Sequence, residues 1–284
     1  MSILTAIFQA IGQALAWVFP ISESGHSAVF HNFSGRFTNA CSQLTGVIHI
    51  GIAIGIFIAF FKLFLKLGKS FFTGWNELFH KELNVKKSPA IRKFVYMTIV
   101  SFAVLLLYLI PTGHGNLFQI LHQLTYNPTL LDEGICFAVT GALLMLAGTK
   151  LDDKPKYAPV WLRGLIIGIA SLFAIAVGGL SLVAAVFSLG VILGLRRGIA
   201  YKYAMVLSVM VLLVAGVTEI CIAVTKVSII SAVIALIISA AVSYFSVIIF
   251  NTLMKKGALK YFGYYDVSIG AICAVIGIFQ LLIK

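Results

Sequence analysis

Six apolar runs, at roughly 43–64, 93–111, 132–149, 203–225, 228–252 and 262–283, each approach the ~20 helical residues that cross a hydrocarbon core. A backbone in lipid must satisfy its own hydrogen bonds, so runs of this length restrict the chain to membrane-spanning helices. Composition agrees with that restriction. With 61% hydrophobic and 11% charged residues over 284 positions and a mean hydropathy of +1.05, an ordinary soluble domain is excluded. No polar stretch is long enough to enclose a core of its own, so residues 1–284 are expected to form a single integral membrane domain. The net charge of +12 comes from basic residues in short segments between apolar runs. That is the pattern of cytoplasmic loops; no nucleic-acid motif accompanies it, and no nucleic-acid partner is expected. Cys41, Cys136, Cys221 and Cys273 are far apart and form no CxxC, which reads as packing and not as a disulfide framework or metal site. The first twenty residues lack the basic region of a cleavable signal peptide and are expected to belong to the mature protein.

Two further apolar pairs are broken in the middle. Residues 3–19 and 22–34 are hinged at Pro20, and residues 164–177 and 181–195 at Gly178-Gly179. Each arm is marginal as a span, and each pair has a helix breaker at its centre. Each pair either crosses the membrane twice or enters and leaves by the same side; both return the chain to its own face, so loop charges test the parity of the topology and not the depth of each hairpin. Loop charges then fall on one face: Lys62, Lys66, Lys69, Lys81, Lys86, Lys87, Arg92 and Lys93 are cytoplasmic, and 113–131, without Lys or Arg, is external. Lys150, Lys154, Lys156 and Arg163 return inside, as do Arg196, Arg197 and Lys202, and then Lys255, Lys256 and Lys260. The expected fold is an all-α polytopic membrane protein of two inverted repeats, about 1–150 and about 160–284, each a re-entrant helical hairpin plus three transmembrane helices. Helix N-termini after each hinge would aim backbone N–H groups into one interior region, where phosphate is the natural occupant. Pro20–His26 is therefore expected to face Gly178–Ser181 across a shared polar pocket that opens to the outer face.

The polar island Pro20-Ile21-Ser22-Glu23-Ser24-Gly25-His26 concentrates a carboxylate, an imidazole and two hydroxyls beside a membrane segment, where ionisable groups are costly. With the preceding Gln13-Ala14-Leu15-Ala16-Trp17-Val18-Phe19, it resembles the first motif of the undecaprenyl-pyrophosphate phosphatase family, also known for bacitracin resistance. That motif has two acidic residues four apart, the first sometimes Gln, followed by a Phe-Leu-Pro-Val-Ser-Ser-Thr-Gly-His run. Val47-Ile48-His49-Ile50-Gly51 is similar to the family's Ile-Gln-Leu-Gly segment. Gly178-Gly179-Leu180-Ser181-Leu182-Val183-Ala184-Ala185-Val186 falls where the second motif, Pro-Gly-x-Ser-Arg-Ser-x-x-Thr, belongs, and Gly194 with Arg197 continues that register.

The resemblance covers nearly the whole chain. It implies removal of the terminal phosphate from undecaprenyl pyrophosphate at the outer face of the bacterial plasma membrane, recycling the lipid carrier for cell-wall synthesis, with a divalent cation (Mg or Ca). It implies His26 as general acid/base or nucleophile, Ser181 as a phosphate-binding hydroxyl, and Gln13, Ser22, Ser24, Gly25, His49, Gly178 and Gly179 about the substrate. The partners expected with it are a polyprenyl pyrophosphate or phosphate lipid, the bilayer and a second copy in a homodimer.

The chain departs from the family pattern at both motifs. Trp17 stands at the second acidic position, and Leu182, Val183 and Val186 replace the Arg, Ser and Thr of the second motif. Loss of one such transition-state contact is worth about 3–4 kcal/mol, or roughly 100- to 1000-fold in rate. Glu23 replaces the second Ser of the first motif and returns a carboxylate within one turn of His26. It could orient His26 as a relocated catalytic partner, bind the cation, or do neither. Two functions stay open: a phosphatase using His26, Glu23 and Ser181, or a non-catalytic homologue that binds or translocates a polyprenyl phosphate or another amphiphilic anion. His49 is expected either to reach the pocket or to pack by a hydrogen bond. Glu219 is expected at the interface, pairing with Lys226 or lining the cavity, and Asp266 as a boundary charge beside Lys260. Arg196 and Arg197 read as headgroup anchors, and Phe57–Phe72, with lysines interleaved, as a helix leaving the membrane amphipathically.

Overall fold

The computed structural model describes residues 3–34, 42–80, 85, 88–112, 115–117, 120, 129–149, 159–223 and 225–283. Cys41, Lys81, Lys86, Lys87, Lys150, Lys154, Lys156 and most of the expected external segment lie outside them. The helices are α1 (Ile3–Val18), α2 (Glu23–Ser34), α3 (Gln43–Ala59), α4 (Phe61–Phe79), α5 (Ala90–Leu105, continued by a 3-10 turn Leu106–Leu109), α6 (Leu131–Thr149), α7 (Val160–Ala176), α8 (Leu182–Ile192), α9 (Arg197–Ile222), α10 (Ile229–Lys255) and α11 (Leu259–Leu282). Two-residue strands β1 (Pro111–Thr112) and β2 (Gly115–Asn116) pair antiparallel and are the only strands among the described residues. Five helices are long and apolar enough to cross a membrane, or six if α3 and α4 are one bent span. The chain is an all-α polytopic membrane protein.

The punctuation of the sequence sets these boundaries. Pro89 and Pro159 open α5 and α7, where a missing N–H costs nothing. Ser181 and Ser228 cap α8 and α10 by accepting from Ala184 N and Ser231 N. The first span, expected to run to about residue 64, ends instead at Phe60, where the chain turns by 85° into α4. Beyond the turn come Lys62, Lys66 and Lys69, which cannot continue through hydrocarbon. Phe72, Trp75 and Phe79 stay exposed along α4, as an interfacial amphipathic helix requires.

Both broken pairs are hairpins of short helices. The arms of 16 and 12 residues meet at Phe19–Ser22, and the arms of 17 and 11 residues meet at Val177–Ser181. Even the longer arms reach only about 25 Å at 1.5 Å per residue, short of the ~30 Å core. The hairpins pack on spans of the opposite half: α1 lies along α10, and α7 along α5. Large apolar side chains such as Phe8, Phe33, Phe173, Ile237 and Phe279 face outward, whereas Gln13, His49, Glu133, Glu219 and Asp266 are buried. That distribution suits lipid as the surrounding solvent.

Small residues bring the spans together. A Cβ on Gly55 would lie 2.2 Å from Ala240 O on α10, one on Gly46 2.7 Å from Gly216 O on α9, and one on Gly134 2.4 Å from Ala274 N on α11. These three seams put backbone against backbone, as packing between helices in lipid favours. Gly68, on α4, has open space where its Cβ would be. Gly55→Val and Gly134→Val are expected to cost about 1–3 kcal/mol each through forced separation, read as a lower unfolding temperature in detergent. Gly68→Val should leave that temperature nearly unchanged.

Candidate functional site

The two hairpin tips meet. Gly179 N donates to Ser24 Oγ at 3.0 Å, joining the start of α2 to the turn before α8. Each tip is first organised locally. Ser22 is a non-glycine residue in the left-handed region, with φ of 59°, a conformation that costs on the order of 1–3 kcal/mol. From there its Oγ accepts Gly25 N at 3.2 Å and its carbonyl accepts His26 N at 3.2 Å, which together cap α2. Gly25 must lack a side chain, because a Cβ would sit 2.6 Å from Phe137 Cζ on α6. In the second tip Gly179 has φ of +91° and lies against the Glu133 backbone of α6. Ser181 N donates to Thr140 Oγ1 at 3.2 Å, so α6 holds both tips.

His26 is clamped at both ring nitrogens. Nδ1 lies 2.7 Å from Ser22 O, and Nε2 lies 2.7 Å from Tyr265 Oη on α11. A carbonyl oxygen only accepts, so Nδ1 carries the proton and the neutral ring offers its Nε2 lone pair to Tyr265. Phe137 meets the imidazole edge-on with centroids 5.1 Å apart.

Glu23 does not orient His26, contrary to one expectation. Its carboxylate accepts Ser27 Oγ at 3.3 Å, one turn along α2, on the side of the charged groups of His49 and Glu219, which attract and repel it in turn. Those two form a buried ion pair between α3 and α9, with Nδ1 2.8 Å from Oε2. Glu219 is thus an interior residue and not an interfacial partner of Lys226; its place on the helix, facing the Gly46–Gly216 seam, decides this over its depth. Trp17 stands edge-on to His49, with centroids 5.6 Å apart.

Gln13, expected about the substrate, is buried one turn before Trp17. Among the described residues Gln13 Oε1, Trp17 Nε1 and His49 Nε2 have no hydrogen-bond partner. Buried polar atoms without a partner call for a reason such as a water, an ion or another polar group beside them. Ser24 reaches the second tip as expected, while Ser181 is buried and its Oγ caps α8 by accepting from Ala184 N, which leaves its own O–H proton uncommitted by that bond. Gly178 lies half-buried in the same turn as Gly179. Asp266 is not a boundary charge: it is 0% exposed, and neither carboxylate oxygen has a partner among the described residues. It shares the stripe of Gly263, Gly270 and Gly277 that α11 turns inward. Sequence reasoning missed Tyr265, Thr140 and Glu133. Only Glu133 carried a signal, as an ionisable residue at the head of an apolar run.

For a divalent cation the donor set does not fit. No group of three or more His, Cys, Asp or Glu side chains is placed to hold a metal ion among the described residues. No step is therefore derived through one.

A family model described as bacitracin resistance protein BacA matches residues 6–272. The chain belongs to that family. It is 28% identical to an undecaprenyl-diphosphatase of Methanosphaera stadtmanae, covering 100% of this chain and 99% of the relative. Undecaprenyl-diphosphatases of Alkaliphilus metalliredigens and Halothermothrix orenii are also 28% identical, over 96% and 100% of this chain and 98% of each relative. Family membership covers both hairpins and the spans between them, so the meeting of the two tips lies within the matched region.

The His49–Glu219 pair gives a direct check on this arrangement. His49→Leu alone leaves a buried carboxylate unpaired and is expected to cost roughly 3–5 kcal/mol. His49→Leu with Glu219→Leu should recover most of that loss, as read from unfolding in detergent through a double-mutant cycle.

Proposed function

We propose that the chain is a membrane phosphatase of the undecaprenyl-diphosphatase type, releasing the terminal phosphate of a polyprenyl pyrophosphate where the two hairpin tips meet. The observation that carries this reading is His26, at the histidine of the family's first motif, with Nδ1 fixed on Ser22 O and Nε2 left as the basic atom. The Ser24–Gly179 contact sets the starts of α2 and α8 side by side. The positive dipole ends of both helices favour an anion there. Those dipole ends take the place of the arginine that Leu182 does not supply. Gln13 and His49, with open polar atoms, stand for binding the headgroup.

An apolar crevice lined by Phe102, Leu105, Leu109, Ile175, Val211 and Val214 supports a site for the lipid chain. Ile175 stands two residues before the second tip. Recycling of a cell-wall lipid carrier would place the protein in a plasma membrane with the pocket open outward, a reading supported by the gathering of basic residues in loops of one parity. Two inverted repeats are supported by reciprocal pairing, since α1 packs on α10 as α7 packs on α5.

Phosphate release from undecaprenyl pyrophosphate by purified protein in detergent, with and without divalent cation, is the test. Release is expected, and His26→Ala should lower it by about 100-fold or more. Folded wild-type protein that binds the lipid and releases no phosphate would replace this reading with the non-catalytic one.

A further inference from the structure

Tyr265 belongs to neither motif, yet its hydroxyl is 2.7 Å from His26 Nε2 across a separation of 239 residues. The two rings are parallel to within 3°, with centroids 5.8 Å apart. In parallel rings the perpendicular offset cannot exceed the 2.7 Å O···N distance, which is less than the ~3.5 Å of ring carbons in contact. The rings therefore lie side by side, and the phenol approaches near the imidazole plane, where the Nε2 lone pair is directed. Because Nδ1 donates to Ser22 O, the proton in the second bond comes from Tyr265.

The three serine hydroxyls at the tips each accept a backbone N–H, and none is bonded to a basic side chain among the described residues. Ser22 Oγ accepts Gly25 N, Ser24 Oγ accepts Gly179 N, and Ser181 Oγ accepts Ala184 N. Tyr265 is 41% exposed and sits directly on the basic nitrogen. A hydroxyl, a base within hydrogen-bond reach and a third group that orients the base are the arrangement of an activated nucleophile.

Resting on the phosphatase reading, we infer that Tyr265 is the nucleophile that accepts the phosphoryl group and that His26 is its base. Tyr265 Oη bonds to the terminal phosphorus as the bond from that phosphorus to the bridging oxygen breaks. The phenol proton passes to Nε2, which returns it to the departing polyprenyl phosphate. In the second half His26 Nε2 takes a proton from water, the water oxygen attacks the phosphotyrosine, and the proton follows Oη as it leaves. One water is consumed, and inorganic phosphate and polyprenyl phosphate are released.

A single turnover with terminally labelled undecaprenyl pyrophosphate, quenched in detergent and mapped by peptide mass spectrometry, tests the inference beside the Tyr265→Phe variant. Acid-stable label on Tyr265 is expected, with phosphate release by Tyr265→Phe reduced roughly 100-fold or more while its elution and unfolding temperature match wild type. Acid-labile label on His26, or undiminished release by Tyr265→Phe, overturns it. If wild type releases no phosphate from the lipid, the phosphatase reading fails by itself. Labelling with phosphoramidate as a small phosphoryl donor then decides the dyad: acid-stable label on Tyr265 that His26→Ala abolishes supports it, and no label at Tyr265 overturns it.

Discussion

A helix that stops inside a bilayer leaves its terminal amides and carbonyls without water to bond. The rest of this structure answers that constraint. Four half-length helices end at two tips, and the tips satisfy each other and α6: Gly179 N on Ser24 Oγ, Ser181 N on Thr140 Oγ1, Gly25 N on Ser22 Oγ. Such bonds need the tips and α6 within van der Waals reach, and Gly25 and Gly179 make that approach by presenting no side chain to Phe137 and Glu133. The glycine seams between α6 and α11 and between α3 and its neighbours hold the frame closed around them.

An indole stands on α1 where the family motif carries a carboxylate, and beside it His49 from α3 pairs with Glu219 from α9. Position along one helix and position in space are different coordinates, and a motif records only the first. Leu182 stands at the arginine position of the second motif, and the starts of α2 and α8 present positive dipole ends at the tips. Such dipoles are weaker than a guanidinium but cannot move away.

Much of the architecture could be read directly from residue order. Apolar runs near twenty residues and breakers at Pro20 and Gly178-Gly179 fix the helices and hairpins because membrane depth is a one-dimensional problem. The tip-to-tip contact was also legible, since two broken helices in lipid have few other ways to satisfy their ends. The 85° turn at Phe60 was not, because hydropathy runs on past it and only the lysines that follow mark the exit. Glu219 and Asp266 were misjudged for one shared reason. Depth along a span says whether a charge lies near headgroups, but the face of the helix decides whether it meets them, and both face inward. Tyr265 had no signal at all: it acquires meaning only when α11 packs along α6 and brings it against a histidine on the first hairpin.

The meeting of the hairpins is the claim on which the rest stands, and an intramolecular disulfide tests it most directly. In a background without native cysteines, Ser24→Cys with Leu180→Cys should form a bridge under mild oxidation in membranes, because position 180 adjoins the Gly179–Ser24 contact. Ser42→Cys with Thr225→Cys, placed where those residues bridge backbone to backbone, serves as the internal control. Bridging of both pairs is the expected result. A control that closes while the tip pair stays open in folded protein would contradict the shared pocket.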